Sequence, residues 1–226
     1  MVAGWHSLTA SRDDKGRKSD RVEKVAASFG TESRMKGNDA LLALVRAFTA
    51  ADFPYMVVGS YSSNFFGIPR STKDADVVVH LPPERWVELP GILPDGIDLD
   101  DQMSFEMVTS TRREILRVAG SIFEIELFRL SDDPHDRSRF SRRRKEEIFP
   151  GECVYLPTPE DVIVQKLRWA ASAKRPKDFS DTVAVMQVQG TGLDWNYIEE
   201  WCGKHGTLNL MQEAMSEARS TWRALD

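Results

Sequence analysis

The chain has 226 residues, 30 Lys/Arg against 35 Asp/Glu, a net charge of −5, and 41% hydrophobic and 29% charged residues. That is enough to bury a sizeable core in one domain with an appendage or in two small domains. No apolar run approaches the roughly 18 residues of a membrane span and the N-terminus lacks a continuous apolar signal core, so the cytoplasm is expected and no membrane partner. The acidic balance excludes a uniformly basic nucleic-acid surface, and a nucleic acid would have to meet a local basic patch.

Residues 1–34 hold seven Lys/Arg and five Asp/Glu, which leaves −7 for the remainder. Their Ser, Lys, Arg and Asp content, with no apolar periodicity beyond residues 22–29, predicts a disordered tail; a regulatory arm is the alternative. Cys153 and Cys202 lack C-x-x-C spacing and read as reduced thiols. His6, His80, His135 and His205 share no metal-ligand spacing, which speaks against zinc.

Asn38 can cap a helix to about Ala51, with Leu41, Leu44, Val45 and Phe48 on one face. Residues 55–58 form a short apolar run between Pro54 and Gly59-Ser60, the pattern of a buried strand. Ser60 can cap the helix that follows, through Phe66, and the unpaired amides at such a helix start make Gly59 and Ser60 a candidate phosphate cradle. Asp74-Ala75-Asp76 then runs into Val77-Val78-Val79. Residues two apart on a strand share a face, so Asp74 and Asp76 project together. Two carboxylates that repel each other suggest a shared cation, and hard oxygen donors suit Mg²⁺ held together with substrate phosphates. The other reading is a solvated junction.

Pro82-Pro83 opens a helix with Trp86, Val87 and Leu89, and Asp95, Asp98, Asp100 and Asp101 read as a solvated loop. Residues 113–118 and 122–130 form a hairpin around Ala119-Gly120-Ser121, and Glu124 and Glu126 share one face of its second strand. A carboxylate there is costly unless it meets a cation or water, so one of the two is a candidate third ligand beside Asp74 and Asp76. Residues 132–147 carry Arg137, Arg139, Arg142, Arg143, Arg144 and Lys145, either a self-paired helix face or a phosphate-tracking surface for which RNA is the expected polymer. Residues 154–156 form a strand. Thr158-Pro159-Glu160-Asp161 starts a helix, and two amphipathic helices follow, around residues 194–204 and 210–225.

Gly59-Ser60, Gly67-Ile68-Pro69-Arg70, Thr72 and Asp74-Ala75-Asp76 together resemble the signature of the nucleotidyltransferase-fold superfamily, and more narrowly its AbiEii-like branch. A second piece is residues 159–170, PEDVIVQKLRWA, followed by Lys177-Asp178-Phe179-Ser180-Asp181. The resemblance covers about residues 38–205. It implies an α/β (α+β) fold: a mixed, mainly antiparallel sheet in a core of residues 35–156, and a helical part at 157–226. It also implies transfer of a nucleotidyl group from an NTP to a hydroxyl. In that reading Asp74, Asp76 and Glu126 bind Mg²⁺, Gly59, Ser60, Arg70 and Thr72 contact the nucleotide, and Lys166 neutralises the triphosphate. Glu126 is preferred to Glu124 because Ile125-Glu126-Leu127-Phe128 matches the family strand, with Glu in place of Asp. The longer side chain fits Mg²⁺ less well and leaves Mn²⁺ as an alternative. The resemblance implies as acceptor RNA, including a tRNA 3′ end as in nucleotidyltransferase toxins, or a small molecule or protein hydroxyl as elsewhere in the superfamily, and an antitoxin protein as partner if the chain is such a toxin. The alternative is a catalytically inactive module that binds nucleotide or a partner.

Overall fold

The Leu41, Leu44, Val45 and Phe48 stripe is the buried face of helix α1 (Gly37–Ala50), joined by Ala40. The helix begins one residue before Asn38. Lys36 stands at its N-cap without a side-chain bond, and Asn38 instead accepts a 2.8 Å hydrogen bond from the Tyr61 hydroxyl. The computed structural model describes residues 36–100, 104–106, 111–173 and 175–223. The expectations for residues 1–34 and for Asp101 fall outside them.

Strand β1 (Tyr55–Val58) is buried at every position, as its unbroken apolar run requires, and Gly59 turns straight into helix α2 (Gly59–Phe66). Strand β2 (Asp74–Val79) pairs antiparallel with β1 and parallel with β6 (Glu124–Arg129). Between β2 and β6 lie a 3₁₀ turn (Pro83–Glu88), the short helix α3 (Leu89–Ile92), β3 (Ile97–Leu99), β4 (Ser104–Glu106) and β5 (Thr111–Val118). The helix expected around Trp86 and Leu89 is thus only these two short pieces, and Val87 is exposed. Pro90 and Gly91 give no support to a longer helix.

The main sheet runs β1-β2-β6-β5-β3, with β4 also on β5, and only the β2–β6 pairing is parallel. The hairpin foreseen over 113–130 is the antiparallel β5–β6 pair. Its alternation sorts side chains as expected: Ala75, Val77, Ile125 and Leu127 are fully buried in the main core with α1 and the later helices. The opposite face carries a smaller cluster of Met56, Val58, Val78 and Phe140, against which Phe128 and Leu130 pack.

Residues 132–147 are not one helix. Helix α4 (Pro134–Ser141) ends near Arg142, and Arg144–Phe149 is strand β7, paired with β8 (Glu152–Leu156) around a turn at Gly151, whose φ is +77°. The charge run suggested continuity, but the turn and the β8 ladder decide the conformation. This hairpin is a separate two-stranded sheet, so the single mixed sheet expected within residues 35–156 is two sheets. Helices α5 (Pro159–Ala173), α6 (Pro176–Gln189), α7 (Trp195–His205) and α8 (Leu208–Arg223) complete a mixed α/β architecture, and residues 35–226 form one compact unit. No helix among the described residues is long and apolar enough to cross a membrane.

Candidate active site

The parallel register sets the site. Asp74 pairs with Glu124 and Asp76 with Glu126, so the two β2 aspartates and the two β6 glutamates lie on one face of adjacent strands. Asp74, Asp76 and Glu126 line a cavity of about 580 Å³ together with Gly59, Ser60 and Lys166; Glu124 is not part of that lining. Glu124 pairs instead with Arg117, 2.7 Å away at the start of β6.

Asp76 is the most perturbed of these acids. Burial first, then the neighbouring charges of Glu126 and Asp74, push its carboxyl up to about 7. Asp74 is oriented from behind by the Thr72 hydroxyl, which donates to its Oδ1 at 2.7 Å. Glu126 accepts from Arg113 Nη1 at 2.8 Å. The three carboxylates are not gathered as tightly as a preformed metal cage. Among the described residues, only Asp133, His135 and His205 bring donor atoms within 4.8 Å of one another.

Gly59 explains the turn before α2. Its φ is +60°, and a Cβ at this position would lie 1.8 Å from Asp76 Oδ2. Glycine is therefore demanded twice, by backbone conformation and by the carboxylate that passes over it. Ser60 does not cap α2. The helix begins at Gly59, its N-cap is Val58, and Ser60 is a buried residue of the first turn.

Arg70 lies outside the lining of this cavity. Its Nε and Nη2 grip Asp181 Oδ1 and Oδ2 at 2.7 and 2.8 Å, and Nη2 also donates to Ser60 Oγ at 3.1 Å. Arg70 and Thr72 line a second groove, with Tyr61, Phe123 and Phe149. The Tyr61 hydroxyl is raised to about 12, by burial first and then by the charge of Asp74.

Lys166 is buried, and its ammonium donates to Asp178 Oδ1 and Asp181 Oδ2, each at 2.8 Å. The result is a continuous network of Ser60, Arg70, Asp181, Lys166 and Asp178 that ties α2 to α5 and α6. Burial alone would raise Asp181, but the bonds from Arg70 and the charge and bond of Lys166 outweigh it and hold the carboxyl at about 2. The Lys-Asp-x-x-Asp run at 177–181, part of the resemblance in sequence, supplies both carboxylates of this network. Arg113 was missed, although the signal was present: Arg113 and Arg117 alternate on β5 opposite Phe128 and Glu124, on the face that carries Glu126. Arg129, Asp136, Arg139, Trp169, Arg175 and Lys177, which also line the cavity, lie on four separate segments that no local spacing unites.

No protein-family model matches the chain, and no curated protein matches its sequence. Among solved structures, ANT(2″)-Ia in complex with adenylyl-2″-tobramycin superposes with a TM-score of 0.51 at 11% identity, covering 73% of this chain and 96% of that one. The solution structure of the antibiotic-resistance factor ANT(2″)-Ia gives 0.48 at 14% identity, over 83% and 95%. An antigenic nucleotidyltransferase-like protein from Paracoccidioides brasiliensis gives 0.48 at 16% identity, over 82% and 94%. The architecture is that of the nucleotidyltransferase fold.

Proposed function

We propose that the protein is a Mg²⁺-dependent nucleotidyltransferase that moves a nucleotidyl group from an NTP to a hydroxyl. The observation that carries this reading is the in-register pairing of Asp76 with Glu126, beside Asp74, in a cavity that also contains the Gly59 turn and Lys166. The donor set is all carboxylate oxygen, which suits a hard dication. Asp76 also has the signature of an anion short of compensation: buried, flanked by two like charges and raised to about 7. Asp74, Asp76 and Glu126 would hold the metal. When bound, a divalent cation lowers the pKa of the acceptor hydroxyl and stabilises charge on the leaving pyrophosphate.

The chain's own residues supply the rest. Gly59 leaves room over Asp76 and opens α2, whose first amides offer donors to phosphate. Lys166 has three N–H donors, of which Asp178 and Asp181 take two, and this fixed ammonium lines the cavity. Lys177 and Arg175 add cationic charge at the start of α6. The reaction forms a bond from the acceptor oxygen to the α-phosphorus and breaks the bond to the β-phosphate oxygen; the hydroxyl proton passes to the carboxylate cluster.

RNA, including a tRNA 3′ end, is the acceptor to which the reading extends. Arg175 and Lys177 are the lining cations that support an anionic acceptor, whereas Arg113, Arg129 and Arg139 on the same wall are held by Glu126, Glu114 and Asp136. An AbiEii-like toxin role with an antitoxin partner belongs to the same proposal. The test is incubation with each α-labelled NTP, Mg²⁺ or Mn²⁺, and total RNA. Label should enter RNA with release of pyrophosphate, and Asp74→Asn combined with Asp76→Asn should abolish it. Metal-dependent nucleotide binding without transfer to RNA, protein or small hydroxyl compounds would favour an inactive binding module.

A further inference from the structure

Beside one wall of the carboxylate cavity, the start of α4 meets the end of α7. Asp133 caps α4: its Oδ1 accepts from the backbone amides of His135 and Asp136 at 2.9 and 3.1 Å, and its Oδ2 from Arg168 Nη2 at 3.0 Å. His135 is fully buried, with ring centroids 4.9 Å from Trp201 and 5.2 Å from His205. Its Nε2 faces Asp161 Oδ1 at 3.4 Å, and its Nδ1 has no hydrogen-bond partner. His205, in the last turn of α7, has an unpartnered Nδ1. One donor atom from each of Asp133, His135 and His205 lies within 4.8 Å of the other two.

We propose that Asp133, His135 and His205 form a second cation site, distinct from the carboxylate cavity and selective for a transition-metal dication, with Zn²⁺ as its occupant. Two imidazole nitrogens and one carboxylate oxygen are a donor set that first-row transition metals take in preference to Mg²⁺. Imidazoles coordinate through a neutral ring nitrogen, and both His135 and His205 present one without a hydrogen-bond partner. Asp133 retains capacity, because the amides use both lone pairs of Oδ1 while Arg168 uses one on Oδ2. Around a tetrahedral ion with bonds of about 2.0 Å the donors stand about 3.3 Å apart. The cluster must therefore contract by no more than about 1.5 Å, which the half-buried Asp133 and His205 can supply. Asp161, beside His135 Nε2, is placed as the carboxylate that orients a metal-bound imidazole.

The charges facing the cluster nearly balance. Arg168, Arg139 and Arg142 stand against Asp133, Asp136 and Asp161. No strong negative field gathers hard cations here, and selectivity rests on the imidazoles. Such an ion would join the start of α4, whose Asp136 and Arg139 line the carboxylate cavity, to the end of α7. The sequence spacing argued against zinc because the two histidines lie on different helices far apart in the chain.

The experiment uses the full chain without a histidine tag, equilibrated with Zn²⁺ in excess Mg²⁺, gel-filtered and analysed for metal. One equivalent of zinc is expected to remain in the wild type and in Asp74→Asn/Asp76→Asn, and to be lost in His205→Gln. Cobalt substitution of the wild type should give visible d–d absorption of a nitrogen-ligated ion. Absence of retained zinc and of that absorption in the wild type overturns the proposal. So does zinc that follows Asp74 and Asp76 instead, or zinc retained by His205→Gln. If His205→Gln fails to fold by circular dichroism, the wild-type cobalt spectrum decides. These outcomes are independent of nucleotidyl transfer, so either proposal can fail alone.

Discussion

At the scale of single residues, the site depends on groups that look ordinary in sequence. Gly59→Ala should displace the Asp76 carboxylate and strain the backbone at a positive φ. It should lower both thermal stability and nucleotidyl transfer; a Tm and activity equal to wild type would show that the clearance over Asp76 is unimportant. Glu126→Gln should reduce transfer by on the order of 100-fold or more, the scale of losing one preorganised electrostatic group. Glu124→Gln, which alters only the Arg117 pairing outside the cavity, should leave it nearly unchanged. The reverse ranking would reassign the third carboxylate. Asp76 also makes a pH prediction. Its folded-state pKa of about 7 lies above the ordinary carboxylate value, so the folded state binds the proton more tightly than the unfolded state. In metal-free buffer, the stability of wild type relative to Asp76→Asn should fall as pH rises from about 4 through 7 and level off above; His205, lowered to about 4, acts in the opposite direction in both proteins and cancels from that difference. A stability difference between wild type and Asp76→Asn that does not change with pH across this window would contradict the assignment.

At the scale of elements, β2, β6 and α2 were legible because each is specified locally. An apolar run bounded by Pro and Gly, a D-x-D alternation and a Gly-turned hairpin leave little freedom in where strands begin and which face is buried. The β7–β8 hairpin was not legible, since the arginines and lysine of residues 137–145 carry no alternation that distinguishes a helix face from a strand. Arg70 was equally opaque. Its partner Asp181 lies on α6, and only the tertiary fold reveals that its guanidinium is committed to a carboxylate that also binds Lys166. This network should behave as a unit. Asp181→Ala would leave Arg70 and the buried Lys166 short of their shared counter-charge, and breaking such a pair from one side costs about 3–5 kcal/mol. Chemical denaturation is the measurement, and a loss below about 1 kcal/mol would show that Asp178 alone satisfies Lys166.

At the scale of the molecule, residues 35–226 form one compact unit whose core draws on α1, the main sheet and helices α5 to α8. A chain beginning at Met35 should therefore fold with essentially the Tm of the full chain; a large drop on truncation would show that the preceding residues contribute to the fold. The cavity is a property of the whole unit, with β2 and β6 supplying carboxylates, α2 the turn and α5 the lysine. The most direct test of its purpose is calorimetric titration of each NTP into the protein with and without Mg²⁺, repeated with Asp74→Asn/Asp76→Asn. The account predicts nucleotide binding that requires the metal and disappears in the folded double variant; binding equally strong without metal, or unchanged in the double variant, would contradict it.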